Sequence, residues 1–358
     1  MIRVGLDTAV LAVPNYGLSA EDANRIIDRT FHFSEAVASG LHVQMLLSDA
    51  ADATLWECGC GPDFGTIQDF LEMMELSHVY STNDVMMAYQ TLLDRAHRAR
   101  PAEKLEVRAF EEFVTVPPLS ADLGPVPLRL ETERVLATAA CTEALGVSTF
   151  LVSGWSGEPY ESVEVQVRIL DVDMGESWPE LQLPVDVEAK ISLLGSPKEI
   201  ISTRTATRAW ESAANLADLH FSVAIRALTI LRDAGAMETA HVGSFAIGPH
   251  FLASLERTQC ARSGRIAASA LDLCAQIVAG RCNRYIGPMG RPKQVVRAFD
   301  GALGWRVHLT DAHEGLRMMY WESSDGLEFA NVGPKWELVI QEGKAGAAVS
   351  TSLSSLLD

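Results

Sequence analysis

The chain has 358 residues, 48% hydrophobic and 21% charged, a balance that specifies a folded protein and excludes a disordered one. With 29 Lys and Arg against 47 Asp and Glu, the formal net charge is −18. That disfavours indiscriminate nucleic-acid binding by the whole surface, because phosphate contacts need local cations.

No apolar run is long enough to span a bilayer, so no membrane association is expected. The opening segment reads as a strand and not as a signal peptide, which makes the cytoplasm the expected location. The six cysteines then read as reduced thiols. Cys58-Gly-Cys60 is too tight for a zinc knuckle.

In chain order, residues 4–13 predict a strand ended by Pro14 and Gly17. Ser19 stands as an N-cap before Glu21 and Asp22. Ile26, Ile27, Thr30, Phe33 and Val37 then share one helical face up to Gly40. A second strand is expected over 41–47, followed by a turn-rich loop, WECGCGPDFG. Two helices come next, one with Ile67, Phe70, Leu71 and Met74 inward, the other with Val85, Ala88, Tyr89, Leu92, Leu93 and Ala96. Residues 105–116 look extended. These make an α/β N-terminal portion, 1–118, and 119–127 reads as a linker.

A central portion, 128–280, is expected to hold a helix over 128–146, a strand over 147–152, an amphipathic strand pair and a long helix over 203–235. Helices over 249–258 and 264–279 follow. The C-terminal portion, 281–341, begins with a basic loop. It continues as an antiparallel β-meander over 306–309, 316–321, 327–332 and 337–340. Residues 342–358 read as a flexible tail. The fold class is α+β.

The strand pair carries the first chemical reading. Val163, Val165, Val167 and Ile169 alternate with polar residues, as do Val185, Val187, Ala189, Ile191 and Leu193. The polar face of the second strand holds Asp186, Glu188 and Lys190, and the link between the strands holds Asp171 and Asp173. Glu188 and Lys190 are two apart and share a face. An ordinary solvent-facing hairpin has the same outline.

With its flanking helices the segment resembles the αβββα core of the PD-(D/E)xK nucleases. The resemblance implies a metal-dependent phosphodiesterase with Asp173, or Asp171, and Glu188 binding Mg²⁺ while Lys190 assists the attacking water. Glu131, Glu133 or Glu143 is expected to complete the site.

The basic stretch 281–310 carries the second reading: Arg284, Arg291, Lys293, Arg297 and Arg306 are candidates for holding nucleic-acid phosphates. After it, GWRVHLTDAHEGLRMMYWESSDGLEFANVGPKWELVI is similar to the closing strands of RelE/ParE-type toxins. There Arg317, Tyr320, Val332-Gly333 and Lys335 occupy the family's positions. That resemblance implies a ribonuclease working with Arg306, His308, Arg317 and Lys335. The expected functions are therefore a metal-dependent nuclease, a non-catalytic subunit that uses its acidic surface to contact a protein partner, or a ribonuclease.

Overall fold

The computed structural model describes residues 2–13, 19–39, 43–96, 104–119, 124–147, 149–153, 162–235, 242–290, 293–310, 315–344 and 346–350. They fall into two compact units, Ile2–Glu199 and Ile200–Leu353. Helices and strands mix in both, in keeping with the α+β class. No described helix is long and apolar enough to cross a membrane.

The N-terminal unit is built on six strands: β1 (Ile2–Leu6), β2 (Val43–Leu46), β3 (Leu105–Val116), β4 (Thr149–Val152), β5 (Ser162–Met174) and β6 (Val185–Leu193). Their spatial order is β2-β1-β4-β6-β5-β3. The first four in that order run parallel, and β5 is antiparallel to both β6 and β3. The expected linker at 119–127 thus lies inside one unit, between strands of a shared sheet.

The opening strand is shorter than its apolar run, because the Asp7 carboxylate accepts from Ala9 N and starts helix α1 (Thr8–Leu11). Helix α2 (Ala20–Ala38) begins at Ser19, where Ser19 and Asp22 form a reciprocal capping box. Trp56 and Glu57 belong to helix α3 (Ala51–Glu57), not to the loop expected there, and α4 (Phe64–Met73) and α5 (Thr82–Arg95) follow.

Helix α6 (Val126–Ala144) organises this unit. Its buried positions include Leu128, Glu131, Thr132, Val135, Leu136, Ala137, Ala139, Ala140, Cys141 and Thr142, which run round the helix rather than along one stripe. Such a helix must be enclosed. Val163, Val165, Val167 and Ile169 of β5 point into the same core as Val187 and Ile191 of β6.

The sheet curls far enough for its edges to meet. Lys104, just before β3, bonds to Asp49, just beyond β2, and lies 3.0 Å from Asp173 and 3.6 Å from Glu106. Register shifts between β3 and β5, with Glu112 at φ 52°, supply the bend.

The C-terminal unit pairs β7 (Phe245–Ile247), β8 (Ile286–Pro288), β9 (Leu303–His308), β10 (Leu316–Ser323) and β11 (Gly326–Pro334) in the order β7-β11-β10-β9-β8. The expected meander is β9-β10-β11. The run at 337–340 is not a strand: Glu337 N donates to Pro334 O at 2.8 Å, and Ile340 folds into a cluster with Met289, Met319 and Trp321.

The long helix expected over 203–235 is two, α7 (Thr203–Glu211) and α8 (Leu216–Asp233), because the Asn215 side chain accepts from Asp218 N and restarts the helix. With α9 (Phe251–Arg257) and α10 (Ala267–Val278) they accompany one face of the sheet. There Phe329 packs on Phe251, Ser254 Oγ accepts from Val332 N, and Cys274 touches Met318. Part of the expected tail is ordered, since Val349 bridges to Ile247; residues 351–358 lie outside the described residues.

Two substitutions separate core from clasp in urea unfolding. Leu136→Ala should cost about 2–5 kcal/mol, as expected for a large-to-small change at a fully buried site. Lys104→Met should cost under about 1 kcal/mol, because its carboxylate partners are partly solvated. Hydrogen bonding from Lys104 and then Arg108 holds the Asp173 carboxyl below its usual range. Its contribution is therefore present above the ordinary carboxylate range and lost as pH falls through the folded value.

Candidate functional site

The strand register locates every residue of the proposed Asp…Glu-x-Lys site. Glu188 faces Gln166 and Lys190 faces Glu164 across the β5–β6 ladder, on the solvent side. Asp171 and Asp173 are not in a link, as the sequence suggested, but inside β5, opposite Ala109 and Glu106 of β3.

Leu170 has no partner in that register, and this bulge turns both Asp side chains outward while Val172 and Met174 continue inward. The four residues therefore share a face but not a site. Asp171 is five residues and Asp173 seven residues beyond Gln166, about 16 Å and about 23 Å along the strand from Glu188. One Mg²⁺ ion, whose ligands sit about 2.1 Å away, does not bridge them. Asp173 is also already engaged by Lys104 and Arg108.

The helix carboxylates do not repair this. Glu131 bonds to Arg134 at 2.8 Å, and Glu143 accepts from Thr149 N at 3.0 Å. Among the described residues, no three His, Cys, Asp or Glu side chains are placed to hold a metal ion.

The basic stretch splits in the fold. Arg297 is only 4% exposed and forms a fork with Asp300, at 3.0 and 2.6 Å, while reaching Glu328 at 2.7 Å. It also stacks near Phe299 and Trp321. This arginine ties the β11 side of the sheet to the turn before β9 and is not presented to a phosphate. Lys293 is exposed in the loop before β9, and Arg291 lies outside the described residues.

Arg284 and Arg306 have a different fate, because the sheet brings them to cations from other strands. His308 pairs with Arg317, and Arg306 with Met319, so the three polar side chains lie on one face of β9 and β10. Arg284 Nη1 donates to the His308 and Leu309 carbonyls at 3.0 and 3.3 Å, and Arg317 Nη1 donates to the Lys335 carbonyl at 3.0 Å.

Arg284, Arg306, His308, Arg317 and Lys335 thus converge across β8 to β11. Among the described residues Arg306, Arg317 and Lys335 make no ion pair, and the Arg317 Nε is buried without a partner. Although His308 is solvent-exposed, desolvation by the surrounding sheet lowers its pKa, and Arg317, Lys335, Arg306 and Arg284 push it further in the same direction. Burial, then Arg306, likewise holds the Arg317 guanidinium below its ordinary range. The positions of Arg306, Arg317 and Lys335, without an ion pair among the described residues, give this face a local positive charge.

Tyr320, expected to join this cluster, is buried on the opposite face against Phe329. Lys335 and Arg317, which do join it, are legible only through the meander, since charge clustering along the chain ends near Arg306.

The N-terminal unit holds a polar cluster that the sequence did not reveal. β1 lies between β2 and β4, so the carboxyl ends of β1 and β4 flank a reversal of strand order, where α/β sheets commonly place polar groups. Asp7, at 0% exposure, accepts from Thr132 Oγ1 at 2.8 Å and Ser153 Oγ at 3.1 Å. Nearby Glu131 is 2% exposed, and burial raises its pKa despite hydrogen bonding from Ser48 and the charge of Arg134.

Comparison with protein-family models, with curated proteins and with solved structures returns no match. The chemistry of the site is therefore read from its own residues.

Stability measurements distinguish the two kinds of arginine. Arg297→Met should cost about 2–4 kcal/mol, because it strands Asp300 and Glu328 without their buried cation. Arg306→Ala should be neutral or slightly stabilising, because it relieves cation repulsion. In NMR titration His308 should protonate below the usual histidine range and shift upward in Arg317→Ala. As the folded value is the lower one, the patch should lose stability as pH falls through the unfolded histidine value.

Proposed function

We propose that the C-terminal unit binds the phosphate backbone of a nucleic acid on the sheet face turned away from α9 and α10, beside the Met289–Met319–Trp321 cluster, through Arg284, Arg306, His308, Arg317 and Lys335. The observation that carries this reading is the convergence of cations around His308, with no ion pair at Arg306, Arg317 or Lys335 among the described residues. In a chain of net charge −18, carboxylates are plentiful. Three neighbouring cations, Arg306, Arg317 and Lys335, without an ion pair among the described residues fit a polyanionic ligand, whose bound counterions would be released on contact.

The position of His308 favours a second reading on the same face, metal-independent ribonuclease action. A histidine kept neutral at pH 7 can take the proton of a ribose 2′-hydroxyl. The oxygen then attacks the adjacent phosphorus, and the P–O5′ bond breaks. This leaves a 2′,3′-cyclic phosphate and a 5′-hydroxyl that receives a proton. Arg306, Arg317 and Lys335 would hold the charge that builds on the phosphoryl oxygens.

Fluorescence anisotropy with labelled RNA and DNA oligonucleotides tests the binding. Affinity should fall linearly in log–log salt plots, and Arg306→Ala and Arg317→Ala should each weaken it about ten-fold and lower the slope by ~1. Salt-independent binding, or affinity unchanged in both variants, would overturn the reading. For the second reading, RNA cleavage should persist in chelator and vanish in His308→Ala.

A further inference from the structure

We propose that the nucleic acid taken by this face is single-stranded, its bases stacking on Tyr285 and Trp336 while its phosphates lie over Arg306, Arg317 and Lys335. This rests on the phosphate-binding reading above and adds the class of ligand to it. Tyr285 is 70% exposed and Trp336 77% exposed, the most exposed aromatic side chains among the described residues. Rings this exposed leave their faces free to stack on a partner.

Tyr285 stands beside the cations, and Trp336 follows Lys335 directly in the chain. Ile286 pairs with Val307 and Gly287 with Arg306, so the β8–β9 ladder, continued by one residue, sets Tyr285 opposite His308. The Tyr285 ring leans over Gly287, where an added Cβ would come within 2.9 Å of the ring. Glycine at 287 thus lets the ring lie down against the sheet next to Arg306.

At the other end, Glu337 N donates to Pro334 O in a tight turn that carries Trp336 at its tip. The Glu337 side chain folds over Gly333, which is the partner of Arg317. From β8 to β11 the face crosses three strand spacings, about 14 Å. Aromatic rings therefore border a strip of positive charge.

That arrangement discriminates between strands and duplexes. In a duplex the base faces are already stacked on each other, and a protein meets only backbone and groove edges. Unpaired bases offer their faces, and aromatic rings beside cations hold them with little regard to sequence. Phosphate contacts alone would not need Tyr285 and Trp336.

The test uses the full chain with labelled single-stranded RNA, single-stranded DNA and the matching duplexes, beside Tyr285→Ala, Tyr285→Phe, Trp336→Ala, Gly287→Ala and Arg306→Ala. Single strands should bind at least ten-fold more tightly than duplexes. Tyr285→Ala and Trp336→Ala should each weaken single-strand binding about ten-fold and leave duplex binding unchanged. Tyr285→Phe should retain affinity, and Gly287→Ala, by displacing the ring, should lose it. A 2-aminopurine base placed in the strand should be quenched on binding to the native chain, and less so in Trp336→Ala.

Equal affinity for strand and duplex, with no loss in the aromatic variants, would sink the single-strand inference while the phosphate reading stands, provided Arg306→Ala still weakens both. Absence of binding to every oligonucleotide would remove both. A Trp336 emission shift on vesicles rich in phosphatidylserine, without oligonucleotide binding, would assign the face to an anionic lipid surface instead. Preference for RNA over DNA at equal length would place a 2′-hydroxyl contact within the same strip.

Discussion

Because buried positions run round α6, the sheet of the N-terminal unit has to curl until its edges approach, and that requirement decides where its charged side chains come to rest. The alternating valines of β5 and β6 satisfy the helix from one side. β3 must then bend back, with its irregular register, to close the other. The closing contact is electrostatic: Lys104 gathers Asp49, Glu106 and Asp173 where the two edges meet. A carboxylate that looks like a metal ligand on an isolated strand is in the folded unit a counter-ion for Lys104 and Arg108.

The strand pair itself was legible, and so was the side each residue faces, because period-two alternation is a property of local backbone geometry. The helix caps at Ser19 and the meander of the second unit were legible for the same reason. What the sequence concealed depended on pairing. Asp173 and Glu188 differ by a short stretch of chain, yet separation along the strands follows from register, and the Leu170 bulge has no signature in the side chains around it. The break between α7 and α8 was hidden by apolar spacing that continues across it, although Asn215 is a good N-cap. Asp7 lies inside the apolar run expected to form one strand, yet it ends that strand by capping α1.

The basic stretch teaches a similar lesson through electrostatics. Arg297 and Arg306 belong to one run of positive charge and look equivalent there. Folding buries Arg297, and a buried guanidinium survives only with partners, which Asp300 and Glu328 supply. Arg306 stays at the surface, where a cation needs no partner, and the sheet sets it beside His308 and Arg317. The cationic cluster therefore draws on residues from 284 to 335. Only the ladder of β8, β9, β10 and β11 assembles them, so a scan for charge along the chain finds part of the cluster and includes an arginine that does not belong.

An acidic protein with a local cationic face treats a polyanion differently at long and short range. At separations beyond the screening length, about 10 Å at 0.1 M salt, little of either field reaches the ligand. Within it, the net charge of −18 opposes the approach of an anion, and the local positive charge near Arg306, Arg317 and Lys335 favours it. Repulsion elsewhere suppresses the loose sliding contacts that a uniformly basic protein makes with any phosphate backbone. Affinity then has to come from contacts made on the face itself. There, on the proposed reading, Arg306, Arg317 and Lys335 would hold the phosphates, and the exposed rings would add an attraction that does not depend on charge. On the proposed reading, the acidity that argues against indiscriminate nucleic-acid binding would act as a source of selectivity for ligands that fit this strip.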